Sequence, residues 1–441
     1  MATDAWFRAA ASKQGRWSLD EIIYRAPDGD LLEVAHDLEA LRALRDGPAW
    51  RQHWDARLAP GVPPASSGVW SKRELVLPQL PAADIVSLGE GNTPLVQATG
   101  LGRDLGLDEL WIKQCGTSHT GSFKDLGMTV LVSQVNHMIR SGAPILGVAC
   151  ASTGDTSAAL AAYCAAAGIP AVVLIPADKI SPAQLVQPIS NHALTLALET
   201  DFDGCMRLVQ QLTEDRRLYL ANSMNSLRVE GQKTVAIEII QQFGWEVPQW
   251  IFIPGGNLGN VSALYKGLEE IRDLGLIDRL PTIVCCQAEA ANPLYRAYHN
   301  DWRCEPITAA PTLASAIRIG DPVSRDKAIA ALRRHGGLVA QASEQQLADA
   351  CARADRHGQF TCPHTGVALA AVEQFAAAGR IARGERVVVI STAHGLKFNN
   401  IKTAYHERAL AGLDAPLANQ AVRLEASPQA VYDAVERHIA G

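Results

Sequence analysis

The stretch Ser118-His119-Thr120-Gly121-Ser122-Phe123-Lys124-Asp125 places a lysine at the mouth of a helix. Downstream, Met128, Leu131, Val132, Val135 and Ile139 recur at helical spacing. They predict one apolar face over Met128 to Arg140, and Gly142 supplies the stop. Lys124 therefore sits near the positive end of a helix dipole, where a cation is disfavoured and the neutral amine gains. A neutral lysine amine is a nucleophile able to form a Schiff base with a carbonyl compound. By itself this context fits an ordinary exposed lysine better, and it is the rest of the chain that reverses the choice.

Working outward, strands and helices alternate from Leu95 onward. Leu110-Trp111-Ile112-Lys113, Pro144 to Cys150, Ala171 to Ile175, Trp250 to Ile253, Ile283 to Cys286 and Val387 to Ile390 read as short apolar strands. Ser157 to Ala167 is an alanine-rich helix stopped by Gly168. Continuous apolar strands separated by helices predict an α/β fold with mainly parallel sheets covered on both faces. The first ~80 residues differ. They carry Trp6, Trp17, Trp50, Trp54 and Trp70, a hairpin signal pairing Ile22-Ile23-Tyr24 with Leu31 to Val34 about the turn Ala26 to Asp30, and a linker-like run from Pro60 to Gly68. The tail from Glu425 to Gly441 reads as a closing helix.

Composition excludes several classes. A net charge of −6 and the lack of a basic run argue against nucleic acid as a partner. No segment approaches the ~18 apolar residues of a membrane span, and no continuous apolar run near the N-terminus resembles a secretory signal. Nine cysteines, an odd number without a C-x-x-C pair, read as reduced and buried in a cytoplasmic protein. None has zinc-ligand spacing, so no metal is expected.

Open α/β sheets bind ligands beyond the carboxyl ends of their strands, so the strand-to-helix loops carry the chemistry. Ala151-Ser152-Thr153-Gly154-Asp155-Thr156-Ser157 gathers four hydroxyls at a helix N-terminus, suited to a carboxylate or phosphate, or alternatively to plain helix capping. Pro254-Gly255-Gly256-Asn257-Leu258-Gly259-Asn260 is glycine-rich, so backbone N–H groups can converge on a phosphate; it is neither a Walker A loop nor G-x-G-x-x-G, which disfavours ATP and dinucleotides. Ser391-Thr392-Ala393-His394-Gly395 offers the Thr392 hydroxyl to a heteroaromatic nitrogen, with His394 in a structural role. Asn222 to Gln232 clusters amides and hydroxyls around Arg228, which can clamp a phosphate or simply line a capped helix start.

Six segments in order resemble one family. Gly89-Glu90-Gly91-Asn92-Thr93-Pro94-Leu95, Thr120 to Asp125, Ser152 to Ser157, Asn222 to Gln232, Gly255 to Asn260 and Ser391 to Lys397 are similar to segments of the pyridoxal-phosphate enzymes of the tryptophan-synthase-β type, fold type II, and within them to the threonine synthases. The run Ile180 to Pro188 resembles their plant-type branch. The resemblance implies two three-layer αβα domains with pyridoxal 5'-phosphate in the cleft between them. By that likeness residues 1–80 form an N-terminal extension, 81–130 with 226–410 a large domain, 131–225 a small domain and 411–441 a tail helix.

The same likeness implies site roles. Lys124 would be the catalytic, cofactor-linked lysine, with Phe123 packing near the ring, Asp155 facing its phenolic oxygen and Thr392 bonding the pyridine nitrogen. Gly255, Gly256, Asn257, Leu258, Gly259 and Asn260 would hold the cofactor phosphate. Ser152, Thr153 and Thr156 would bind the substrate carboxylate, and Asn222, Ser223 and Arg228 its phosphate. Many relatives carry Asn where the plant-type branch and this chain carry Asp155, so a protonated or averted Asp155 is expected. Some relatives also hold paired cysteines in the N-terminal hairpin; Ala26 to Asp30 has none. The implied activity converts O-phosphohomoserine and water to threonine and phosphate, in a cytoplasmic homodimer. The rival readings are a threonine or serine dehydratase, a cysteine or cysteate synthase and, furthest off, a cofactor-free amino-acid sensor.

Overall fold

A computed structural model describes residues 3–58, 61–152, 154–177 and 182–440. The apolar runs become two separate parallel-dominated sheets. The larger has the order β11-β10-β9-β12-β4-β3, built from β3 (Leu95–Gln97), β4 (Glu109–Gln114), β9 (Trp250–Pro254), β10 (Thr282–Ala288), β11 (Leu338–Ala342) and β12 (Arg386–Ser391). Only β3 runs antiparallel to its neighbour. The smaller is all parallel in the order β7-β6-β5-β8, from β5 (Gly147–Ala151), β6 (Ala171–Pro176), β7 (Leu194–Leu198) and β8 (Leu218–Leu220).

The unbroken apolar strands follow from two buried faces and a side-chain period of two. In the larger sheet Ile251, Ile253, Val388 and Ile390 join one core, while Phe252, Val387 and Val389 join another on the opposite face. In the smaller sheet Val148 and Cys150 face the first core, and Ala149 and Ala151 a third. Helices cover both faces. They are α1 (Leu38–Leu44), α2 (Gly47–Asp55), α3 (Thr99–Leu105), α4 (Lys124–Arg140), α5 (Asp155–Ala167), α6 (Pro182–Ser190), α7 (Phe202–Leu212), α8 (Leu227–Gln232), α9 (Thr234–Gln242), α10 (Gly259–Asp273), α11 (Pro293–Tyr298), α12 (Arg325–His335), α13 (Glu344–Arg356), α14 (Pro363–Ala377), α15 (Asn399–His406) and α16 (Pro428–Ala440). None among the described residues is long and apolar enough to cross a membrane.

The N-terminal segment departs from the expected hairpin. The partner of β2 (Leu32–His36) is β1 (Ala5–Ala9), not Ile22 to Tyr24. Tyr24 is drawn elsewhere: its ring meets Tyr219 edge-on and its hydroxyl accepts from the Leu220 N–H at 2.8 Å. Trp50, Trp54 and Trp70 are fully buried in the main core. The Pro60–Gly68 run is not a free linker at its far end, since Ser67 Oγ and the Gly68 N–H both bond Glu90, at 2.8 Å each. A buried ionic cluster pins β2 to the helices behind it: His36 Nε2 lies 2.7 Å from Glu230, and Lys233 and Lys266 bridge Glu230 and Glu270. His36, Glu230 and Glu270 approach closely enough to suit a cation, and the two ammonium groups already fill that role. At the other end α16 forms as expected but leaves Val431, Tyr432, Val435 and Ile439 exposed.

One packing contact sets the geometry of everything below. A side chain at Gly127 on α4 would meet the Arg228 carbonyl at 2.8 Å, and one at Gly231 on α8 would strike the Leu126 carbonyl. Two glycines, each three residues past a cation, let the backbones of α4 and α8 touch, and so place Lys124 and Arg228 side by side. Gly231→Ala is expected to lower stability by about 1–3 kcal/mol through overpacking at this crossing; an unchanged denaturant midpoint would contradict the contact.

Candidate active site

Parallel neighbours deliver their carboxyl-end loops to one place. In the larger sheet β9, β12 and β4 are adjacent, so the loops bearing Gly255–Asn260, Thr392 and Lys124 converge. In the smaller sheet β5 and β8 are adjacent, which brings Ser152–Thr156 beside Asn222–Arg228. Within the second group Arg228 Nη2 donates to Thr156 Oγ1 at 3.4 Å, and the two groups of loops meet where Lys397 Nζ, after β12, lies 2.8 Å from Asp155.

Lys124 is the first residue of α4 and is half-buried. Its loop is stitched to the end of β12: the Phe123 N–H donates to the Thr392 carbonyl at 2.8 Å, and the His394 N–H to the Gly121 carbonyl at 3.0 Å. Burial, helped by the neighbouring Arg228 cation and opposed by Asp155, pulls the Lys124 amine down to about 8. A depressed lysine alone does not define a site, because burial brings Lys72 and Lys327 down to about 8 as well. Lys124 alone of the three stands beside Thr392 and the mouth of the cleft.

The glycine loop has the chemistry of a phosphate cradle. The Gly255 N–H is spent on the Cys286 carbonyl. Those of Gly256, Asn257, Leu258, Gly259 and Asn260 have no protein partner among the described residues. Leu258 takes a left-handed conformation, φ +65°, to turn them toward one point at the start of α10. A side chain at Gly256 would meet Ile317 Cα at 2.9 Å, so only glycine fits there. The Asn257 and Asn260 side chains face inward to the loop and its support, accepting from the Val323 N–H at 3.3 Å and donating to the Pro254 carbonyl at 2.7 Å.

At the head of α5, Ser152 Oγ accepts from the Gly154 N–H at 3.2 Å and Ser157 Oγ donates to the Gly154 carbonyl at 2.7 Å. The N–H groups of Asp155, Thr156 and Ser157 have no protein partner among the described residues, which suits a carboxylate. Thr153 lies outside the described residues, as does the Ile180-Ser181 start of the plant-type run. The Asp155 carboxylate forms an ion pair with Lys397 Nζ at 2.8 Å, a countercharge that sequence reading did not foresee.

The Asn222–Arg228 cluster separates into distinct roles. Asn222 accepts from the Ala151 N–H at 3.0 Å and donates to its carbonyl at 2.9 Å, so its amide ties β8 to β5 and is not free for a ligand. Ser223 is half-buried with no protein partner for its hydroxyl among the described residues. Arg228 is 4% exposed, bonds the Ala221 carbonyl at 3.1 Å and leaves Nε unsatisfied. No carboxylate pairs with it among the described residues, and burial lowers it to about 10. A buried guanidinium without a countercharge is costly, which marks a place for an anion.

Sequence reading missed four supports. Lys397 and Gln187 both reach the Thr120 carbonyl, at 3.0 Å each. Asp125 is buried and accepts from the Thr120 N–H at 2.7 Å, and burial pushes its carboxyl up to about 7. Cys362, at the head of α14, lies 3.9 Å from Thr392 Oγ1. His394 caps its own turn, its Nδ1 accepting from the Leu396 N–H at 3.2 Å, which is the structural role expected for it.

The match to known proteins agrees with this geometry. Residues 86–393 match the family described as pyridoxal-phosphate dependent enzyme. Threonine synthase 2, chloroplastic, of Arabidopsis thaliana is 53% identical over 436 residues, 98% of this chain and 84% of the relative. Threonine synthase of Methanocaldococcus jannaschii is 38% identical, covering 86% of this chain and 90% of its own. Among solved structures, threonine synthase from Escherichia coli aligns with a TM-score of 0.67 at 20% identity, over 98% of this chain and 99% of that one, a likeness of fold. The fold and cleft define a fold-type-II pyridoxal-phosphate-dependent enzyme. Within that class, the chain belongs to the threonine synthase family.

In the cofactor-free protein the Lys124 amine should lose its proton with a midpoint near pH 8, against ~10.4 for a free lysine. Its labelling by an aldehyde, followed by borohydride and peptide mapping, should rise through pH 8; a midpoint above 10 would refute the assignment.

Proposed function

We propose that the chain converts O-phosphohomoserine and water to L-threonine and phosphate, with pyridoxal 5'-phosphate held in the cleft. The observation that carries this choice within the family is Arg228. Threonine or serine, the substrate of a dehydratase, presents no second phosphate to a buried, unpaired guanidinium, whereas O-phosphohomoserine does. A cofactor-free sensor has no use for Lys124, Thr392 and the open glycine loop together.

The residues present fit the cofactor. The N–H groups of Gly256 to Asn260 hold its phosphate with the α10 dipole behind them, Gly255 serving as the sheet-bound hinge of that loop. Thr392 offers a hydroxyl to the pyridine nitrogen; a hydroxyl is too weak an acid to protonate that ring. Phe123 packs beside the lysine, its ring centroid 6.0 Å from Lys124 Nζ. Pyridoxal phosphate, when bound, supplies the electron sink for carbanion chemistry on an amino acid.

The chain's own groups do the rest. Lys124 would hold the cofactor through its aldehyde, and with substrate in place its amine is positioned to take and return protons at the substrate's α, β and γ carbons. Ser152, Thr153, Thr156 and the free N–H groups of α5 bind the substrate carboxylate. Arg228, with Ser223 beside it and Asn222 fixing the loop, binds the phosphate that departs from Cγ; water adds at Cβ. The cleft so described lies between a large unit, 81–130 with 226–410, and a small one, 131–225, with 1–80 and 411–441 outside them. We further propose a homodimer working in the cytoplasm; the nine cysteines, all free, suit a reducing compartment.

Lys124→Ala should abolish the visible cofactor band and slow turnover by at least the ~10²–10⁴ typical of a lost general acid–base group; unchanged kinetics would end the proposal. Arg228→Gln should cut kcat/KM for O-phosphohomoserine by about 30- to 5,000-fold, the scale of a lost buried charge contact of ~2–5 kcal/mol. Phosphate release is the readout. Ammonia release from threonine exceeding phosphate release from O-phosphohomoserine would favour a dehydratase instead.

A further inference from the structure

Lys397 lies in the turn after β12, on the side of the larger sheet. Its ammonium contacts two groups. One is Asp155, the first residue of α5 on the smaller-sheet side, at 2.8 Å; the other is the Thr120 carbonyl, four residues before Lys124, at 3.0 Å. The same carbonyl accepts from Gln187 Nε2 of α6 at 3.0 Å, while the Thr120 N–H and hydroxyl both go to Asp125. The Lys124 loop is thus held at one peptide by groups from both sides of the cleft. The pair is largely shielded, with Lys397 and Asp155 side chains 18% and 11% exposed, so its charges act with less screening than a surface pair.

The electrostatics give Lys397 a particular task. Among the described residues, the charges that bear on the Lys124 amine are Arg228 from α8, which lowers it, and Asp155 from α5, which raises it. Asp125, next in sequence, is turned away onto Thr120. Lys397 is the countercharge of the one carboxylate acting on that amine.

We propose that Lys397 is a positioning residue that compensates Asp155 and ties it to the Thr120 carbonyl, setting the net charge beside Lys124 while joining the two sides of the cleft. This is a role for Lys397 in the cofactor site, and it rests on the reading of the cleft given above. It also explains how a carboxylate can stand where an electron-rich phenolic oxygen is expected: the Lys397 ammonium beside it offsets its charge.

The test is a pH titration of the visible absorbance of the cofactor-loaded enzyme. Absence of a cofactor band in the wild type would overturn the reading of the cleft itself. With a band present, Lys397→Met leaves Asp155 uncompensated, so the protonated form of the lysine–cofactor nitrogen is favoured and the midpoint moves up by about one pH unit or more. Lys397→Arg keeps the midpoint near the wild type. Adding Asp155→Asn to Lys397→Met brings it back down. Asp155→Asn alone, which leaves Lys397 unpaired, lowers it, and serves should Lys397→Met not fold. The same order should appear in the cofactor-free protein as the pH midpoint of Lys124 labelling. A methionine variant that titrates like the wild type, an arginine variant that shifts as far as methionine, or a double variant that stays shifted would each overturn the proposal. A loss of stability alone moves none of these midpoints in the stated order.

Discussion

Two cations held side by side without a carboxylate between them are the constraint on which this cleft depends. The close crossing of α4 and α8, possible because Gly127 and Gly231 carry no side chain, fixes Lys124 and Arg228 as neighbours. Burial makes each uncomfortable as a charged group, and the Arg228 cation lowers the lysine further. The lysine resolves the conflict by giving up its proton more easily, which makes it a nucleophile at moderate pH. The arginine cannot, and it waits for an anion. One unfavourable arrangement thus accounts for the lysine's reactivity and the arginine's demand for a phosphate.

The surroundings hold that arrangement in place. Phe123, Gly121, Thr392 and His394 stitch the lysine loop to the end of β12, so lysine and pyridine partner are positioned by the same backbone hydrogen bonds. Asn222 joins β8 to β5 and carries Arg228 to Thr156. The buried cluster of His36, Glu230, Lys233, Lys266 and Glu270 fastens the N-terminal segment to the helix that bears Arg228, which gives that segment a structural place.

The readable part of the sequence was what local chemistry determines. Strands buried on both faces must be apolar throughout, so β5, β6, β9, β10 and β12 stood out, and the loops after them announced themselves by glycines and hydroxyls. Contacts between distant segments were not legible. Nothing in Ile22-Ile23-Tyr24 tells that Tyr24 will leave a hairpin for Tyr219 and Leu220. The amide of Asn222 looks like a ligand until Ala151 is seen to occupy both its ends. Asp155 read as a puzzle because its partner, Lys397, lies more than two hundred residues away. Gly127 and Gly231 look like ordinary helix glycines until the two helices are placed together.

The central claim is that the amine of Lys124 is the one that joins the cofactor. Borohydride reduction of the pyridoxal-phosphate-loaded protein, digestion and mass mapping of the label test it directly, since Lys72 and Lys327 are also lowered by burial and serve as internal competitors. A single pyridoxyl label is expected, on the peptide containing Lys124. A label on either competitor, or none under saturating cofactor, would contradict it.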